Sequence, residues 1–214
     1  MTQETRQLGL PGLLPPETKA PEPPKPKGPK KFGGLPDRLF FGIQLDAAAA
    51  YDATLVGMWI QREHRLQRPL RRKDLLHVSL QAIGDFNGLP NGLVDRLTEA
   101  AAAVATRPFE AVFDRVVSFG TCIVLAGNEG VGEVRRLERA VGVALETGRI
   151  RGPSRHFNPH VTLMYDQTPI PPKRLPRPVR WRVEAFVLIH SLLVESRHIV
   201  VRTFPLVGGP QEFT

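Results

Sequence analysis

Phe157-Asn158-Pro159-His160-Val161-Thr162-Leu163 has a shorter counterpart upstream, Leu76-His77-Val78-Ser79-Leu80, and both copies read apolar, His, apolar, hydroxyl, apolar. Successive side chains of a β-strand point to opposite faces, so His160 and Thr162 share one face while Val161 and Leu163 take the other. His77 and Ser79 are arranged in the same way. Each strand thus offers an imidazole that changes charge near neutral pH, with a hydroxyl beside it that can bond an anionic oxygen. Two such strands facing one another would place a general acid, a general base and two donors around a single phosphate. Two ordinary strands carrying polar residues are the plainer alternative.

The rest of the chain sets bounds on this. Its 214 residues, 42% of them hydrophobic, suit one domain preceded by a tail. Residues 1–35 are rich in Pro and Lys and poor in apolar residues that could offset ordering entropy, so they are expected to form a disordered basic tail, with the domain spanning 36–214. The net charge is +8, and six basic against three acidic residues in 1–31 leave +5 for the body. That surplus suits an anionic partner such as RNA or a nucleotide, though charge reports attraction and not chemistry. Cys122 is the one cysteine, which excludes an intrachain disulfide and a thiolate-rich metal site and suggests a reducing compartment. No apolar run is long enough to cross a bilayer and no secretory pattern opens the chain, so a cytoplasmic monomer with no membrane partner is expected.

In order, the pattern predicts a buried strand over 39–45, then a helix capped by Asp46 and running to about Arg65, with Tyr51, Leu55, Met58 and Trp59 inward. Arg62, His64, Arg65, Arg68, Arg71, Arg72 and Lys73 make a basic connection that would guide a polyanion or serve as a solvated loop, with His64 read as a surface residue. A strand over 75–83 ends at Gly84. A helix over 90–105, a hairpin over 109–117 and 121–126, and a helix from Gly130 stopped by Gly148 follow. Gly130 and Gly132 lack the strand context of a dinucleotide loop. The Pro-rich stretch 169–178 reads as a stiff loop, and strands over Trp181–Ser191 and His198–Leu206 close the chain. His190 and His198 have no hydroxyl two residues later and are read as structural or surface residues. This order implies an α+β fold: two pseudo-symmetric lobes of antiparallel sheet, helices outside, and a central cleft that receives one His from each lobe.

The paired His-x-Ser/Thr motifs, with Arg38-Leu39-Phe40-Phe41, Arg155-His156-Phe157 ahead of the second motif, Phe186-Val187-Leu188 and Ser191-Leu192-Leu193, resemble the 2H phosphoesterase superfamily. More narrowly they resemble the bacterial RNA 2′,3′-cyclic phosphodiesterases historically called 2′-5′ RNA ligases. The resemblance implies His77 and His160 as the catalytic pair, His160 as base and His77 as acid, with Ser79 and Thr162 on the phosphate and no metal or other cofactor. It implies hydrolysis of a 2′,3′-cyclic phosphate terminus of RNA to a 2′-phosphate, and in reverse 2′-5′ ligation. Ser79 replaces the commoner Thr and keeps the hydroxyl. Tyr165 stands where the RNA-specific branch usually has Arg, so Arg155 or an arginine from another loop would have to supply the guanidinium. Phe157 is placed either to stack on a terminal base or to pack in the core. The competing readings are a relative acting on small cyclic or linear nucleotides and a binding module without turnover. A zinc site from His156 and His160 is disfavoured because Pro159 breaks the helical spacing such a pair needs.

Overall fold

The computed structural model describes residues 35–150 and 156–207. β1 (Asp37–Gln44) is buried from Leu39 to Ile43 with no polar alternation, because it lies inside a sheet with β2 (His77–Phe86) on one side and β7 (Ala185–Leu192) on the other. Between β1 and β2 runs α1 (Ala47–His64), whose N-terminus is closed by Asp46 accepting the Ala49 N–H at 2.7 Å. The chain continues through α2 (Leu93–Ala102), the hairpin of β3 (Phe109–Phe119) and β4 (Cys122–Ala126), α3 (Gly132–Thr147), β5 (His160–Tyr165), β6 (Lys173–Val183), β7 and β8 (Arg197–Pro205).

All eight strands join in one antiparallel sheet ordered β6-β3-β4-β5-β2-β1-β7-β8. Its halves, β2-β1-β7-β8 and β5-β4-β3-β6, are built on matching units, β1-α1-β2 and β4-α3-β5. The registers match residue for residue. His77, Val78 and Ser79 oppose Gln44, Ile43 and Gly42, and His160, Val161 and Thr162 oppose Ala126, Leu125 and Val124. Both ladders then skip the motif leucine, so that Phe41 meets Gln81 past Leu80 and Ile123 meets Met164 past Leu163. A β-bulge thus falls at the same place in each lobe and turns the following residues over in phase. The two-lobed α+β architecture expected from element order is the one observed.

The helices cover one face. Ala49, Ala53 and Ile60 of α1 and Val134, Leu137, Val141 and Leu145 of α3 join Leu39, Phe41, Val78, Leu80, Val161 and Leu163 in a single core. α1 packs on β5 and β6, both of the other lobe, whereas α3 packs on β2 of the other lobe and on β3 of its own, so each helix reaches across the seam. The opposite face carries only a small cluster of Phe40, Val187 and Ile189 and is left open for function.

Several expectations are corrected. In α1 the buried stripe is Ala49, Ala50, Ala53, Gly57 and Ile60, while Tyr51, Leu55 and Met58 are exposed. The helix approaches so closely that a Cβ on Gly57 would lie 2.7 Å from Leu70 Cδ2, which only small residues allow. β2 runs through Gly84 to Phe86, and α2 is shorter than predicted at both ends. The Pro-rich stretch is largely a strand, β6, tolerated because it is an edge strand paired only with β3. The segment read as one strand over Trp181–Ser191 breaks at Glu184, its two parts pairing near opposite ends of the sheet. Gly148 has φ −73° and is not a left-handed stop; a Cβ there would lie 2.9 Å from Ala100 Cβ, so it lets α3 meet α2. The tail, apart from its last residue, and Arg155 lie outside the described residues.

Candidate active site

The two His strands are neighbours at the centre of the sheet, with Val78 opposite Val161. On that antiparallel register His77 is opposite Thr162 and Ser79 is opposite His160, all four on the face away from the helices. Each imidazole therefore has a hydroxyl on its own strand and another across the seam. Val78 and Val161 point the other way and are fully covered, so the packing that joins the lobes also fixes which face the histidines take.

Local hydrogen bonds set both rings alike. His77 Nδ1 is 2.8 Å from the carbonyl oxygen of Leu75, and His160 Nδ1 is 2.7 Å from that of Asn158. A carbonyl only accepts, so in each ring Nδ1 carries the proton and donates it, leaving Nε2 for chemistry. Ser79 Oγ lies 3.1 Å from His77 Nε2 and donates to it. Burial pushes the His77 imidazole down to about 3, against the opposing pull of its bond to Leu75 and with the further push of His198, Arg71 and His160.

Four residues join the site that the motifs did not signal. His198, taken from sequence as structural or surface, packs edge-on against His77 at 5.0 Å between ring centroids. Phe40 backs both rings at 4.9 and 5.7 Å. His198 is itself pushed down to about 4, chiefly by burial and then by the Arg71 charge. Phe119, 41% exposed, meets His160 edge-on at 5.4 Å. Arg71 donates from Nη1 to the Tyr165 hydroxyl at 3.1 Å. None of these follows from spacing in the sequence, because each comes from a different strand or loop; only the basic run around Arg71 was visible as a feature.

Of the other expected site residues, Tyr165 is on the open face, 57% exposed and in phase with His160 and Thr162 because of the bulge at Leu163. Phe157 is half-buried and packs against the main core, which favours its packing role; Phe119 is the exposed ring beside His160. His190 is structural, its Nε2 2.7 Å from Asp37 Oδ1. His64 is not a free surface residue, since its Nε2 is buried. Among the described residues no three His, Cys, Asp or Glu side chains converge as metal ligands do, and no helix is long and apolar enough to cross a membrane.

Fold and site together define a two-lobed antiparallel scaffold that presents one His-x-Ser/Thr strand from each lobe on a shared open face. The chain belongs to the 2′-5′ RNA ligase superfamily, the 2H phosphoesterases, whose family model matches residues 52–195. Among solved structures it is similar to Escherichia coli LigT complexed with 3′-AMP, at 20% identity and a TM-score of 0.66 over 80% of this chain and 99% of that one. LigT complexed with phosphate matches at 20% identity and 0.62 over 81% and 99%. A Thermus thermophilus protein matches at 24% identity and 0.61 over 80% and 98%. These likenesses concern the fold. No curated protein sequence matches the chain.

Proposed function

We propose that this protein is a phosphodiesterase that opens 2′,3′-cyclic phosphate termini of RNA to 2′-phosphates, and that it joins 2′-5′ ends in the reverse direction. The observation that carries the reading is the matched pair of imidazoles, each with Nδ1 tied to a backbone carbonyl and Nε2 turned to the shared face. Water attacks phosphorus as one Nε2 takes its proton. The bond from phosphorus to the ribose O3′ breaks, and the other Nε2, protonated at the outset, gives its proton to O3′. Ser79 and Thr162 hydroxyls hold the nonbridging oxygens as charge builds there. His77, kept neutral by burial, suits the base and His160 the acid, the reverse of the order implied by family resemblance. The exposed Phe119 ring beside His160 offers a platform for the terminal base, and the basic surplus favours a single-stranded polyanion. RNA, or a nucleotide bearing the same terminus, is thus the partner, and no metal takes part.

The test is turnover of an RNA oligonucleotide ending in a 2′,3′-cyclic phosphate, and of a cyclic mononucleotide, with and without chelator. Hydrolysis to the 2′-phosphate that resists chelator and falls at least a hundredfold in His77→Ala and in His160→Ala is the expected result. Full activity in either variant refutes it. Tight binding without product would make the chain a binding module, and turnover of the mononucleotide alone would move the substrate to small nucleotides.

A further inference from the structure

The phosphodiesterase reading leaves open what grips the charged phosphate beyond two hydroxyls. We infer, resting on that reading, that Arg71 supplies the guanidinium that binds the nonbridging phosphate oxygens, and that Tyr165 holds it in place.

The backbone is pinned first. Leu70 bridges to Met164, and the Arg71 N–H donates to the Leu163 carbonyl at 2.7 Å, which ties this loop to β5 just past its motif. The side chain then reaches the open face. Its Nη1 donates to the Tyr165 hydroxyl, and its guanidinium carbon lies 5.4 Å from the centre of the Tyr165 ring. A tyrosine that both accepts from and stacks on a guanidinium fixes the fork's orientation while leaving its other donors available. Among those donors Nε is buried and meets no acceptor within the described residues. That atom is covered and out of a ligand's reach, so the donors offered to an anion are those at the tip of the fork. The Arg71 charge also acts on both His77 and His198, which accords with its place beside Tyr165 on their face of the sheet.

Its neighbours are engaged elsewhere: Arg72 pairs with Asp74, and Lys73 lies over the Tyr51 ring at 4.7 Å. The register counterpart of Tyr165 in the other lobe is Ala82, since Cys122 opposes Tyr165 where Phe40 opposes Ala82. The clamp therefore exists on one side of a pseudo-symmetric site and gives the bound phosphate a direction.

Arg71→Met, Arg71→Lys and Tyr165→Phe test this with cytidine 2′,3′-cyclic monophosphate as substrate and cytidine 2′-monophosphate as a calorimetric probe. Arg71→Met is expected to raise KM and weaken product binding at least tenfold. Arg71→Lys, which keeps the charge but not the fork, is expected to cost severalfold, and Tyr165→Phe two- to fivefold. Thermal melts check folding, and if Arg71→Met does not fold then Arg71→Lys carries the decision. A folded Arg71→Met, or in its place Arg71→Lys, with KM and product affinity within twofold of the parent overturns the inference while leaving the phosphodiesterase reading intact. Binding that depends on Arg71 in a protein that never turns substrate over overturns the parent reading alone. A protein that neither binds nor turns over these nucleotides overturns both.

Discussion

At the residue scale, each motif imidazole is governed by a carbonyl two positions upstream, so its tautomer is a property of the local chain and not of the partner lobe. The protonation of His77 is different: burial above all, with smaller contributions from His198, Arg71 and His160, keeps it neutral well below the ordinary histidine range. Since kcat/KM reports the free enzyme, and His77 stays unprotonated far below neutrality, we expect no loss of activity from its protonation between neutrality and about pH 5. A pH profile of cyclic nucleotide hydrolysis checks this, and an acid limb well above pH 5 would show that His77 is not the base. Ser79 donates to Nε2 in the open site and is opposite His160 across the seam. Ser79→Thr should therefore keep activity within a few-fold, whereas Ser79→Ala should lower kcat by about a hundredfold, the usual cost of one donor to a charged oxygen. Steady-state kinetics of the two variants would separate a hydroxyl requirement from a size requirement.

At the scale of the element, the bulges at Leu80 and Leu163 explain why each motif ends in leucine facing the core and why the third residue beyond the hydroxyl, Ala82 or Tyr165, returns to the open face. A strict alternation would have put Tyr165 among the helices. Glycine placement is decided by neighbours as much as by backbone. A Cβ on Gly130 would lie 2.5 Å from Val112 Cβ and 2.8 Å from its carbonyl oxygen, while one on Gly132 meets nothing. Gly130→Ala should accordingly destabilise by about 1–3 kcal/mol through overpacking, a loss of several degrees in Tm. Gly132→Ala, at the start of α3, should be neutral or slightly stabilising. Parallel melts of the two variants decide, and equal losses would mean that the approach of this turn to β3 is not what requires glycine.

For the whole molecule, the single residue Glu184 links β6 to β7, and a one-residue link spans no more than about 7 Å. The far edge of one lobe must therefore converge on the other at that end of the strands, where Leu206 also donates to the Glu184 carbonyl at 2.7 Å. The open face also has a stability cost that depends on pH. His77 and His198 are lowered to about 3 and about 4, so between those values and the unfolded value near 6.5 the unfolded chain binds more protons than the folded one. Stability should be full above pH 6.5 and fall as pH drops toward 4, by up to about 1.4 kcal/mol per pH unit for each such histidine and less where solvent screens it. Denaturant titrations from pH 7.5 to 4.5 measure the slope, and His198→Gln should flatten it; an unchanged slope would show that carboxylates govern it instead.

Alternating residues determined much by themselves. His77, Ser79, His160 and Thr162 could be placed on one face, the capped helix after β1 could be drawn, and element order implied two lobes, because these depend on period and on neighbours within a few positions. What surrounds the histidines did not follow. His198, Phe119, Phe40 and Arg71 reach the site from separate strands and a loop, the close approach of α1 at Gly57 is to Leu70 of a distant loop, and Trp181–Ser191 is divided between sheet ends by a single residue. Such juxtapositions depend on strand order and register across more than a hundred residues, which only the tertiary structure decides.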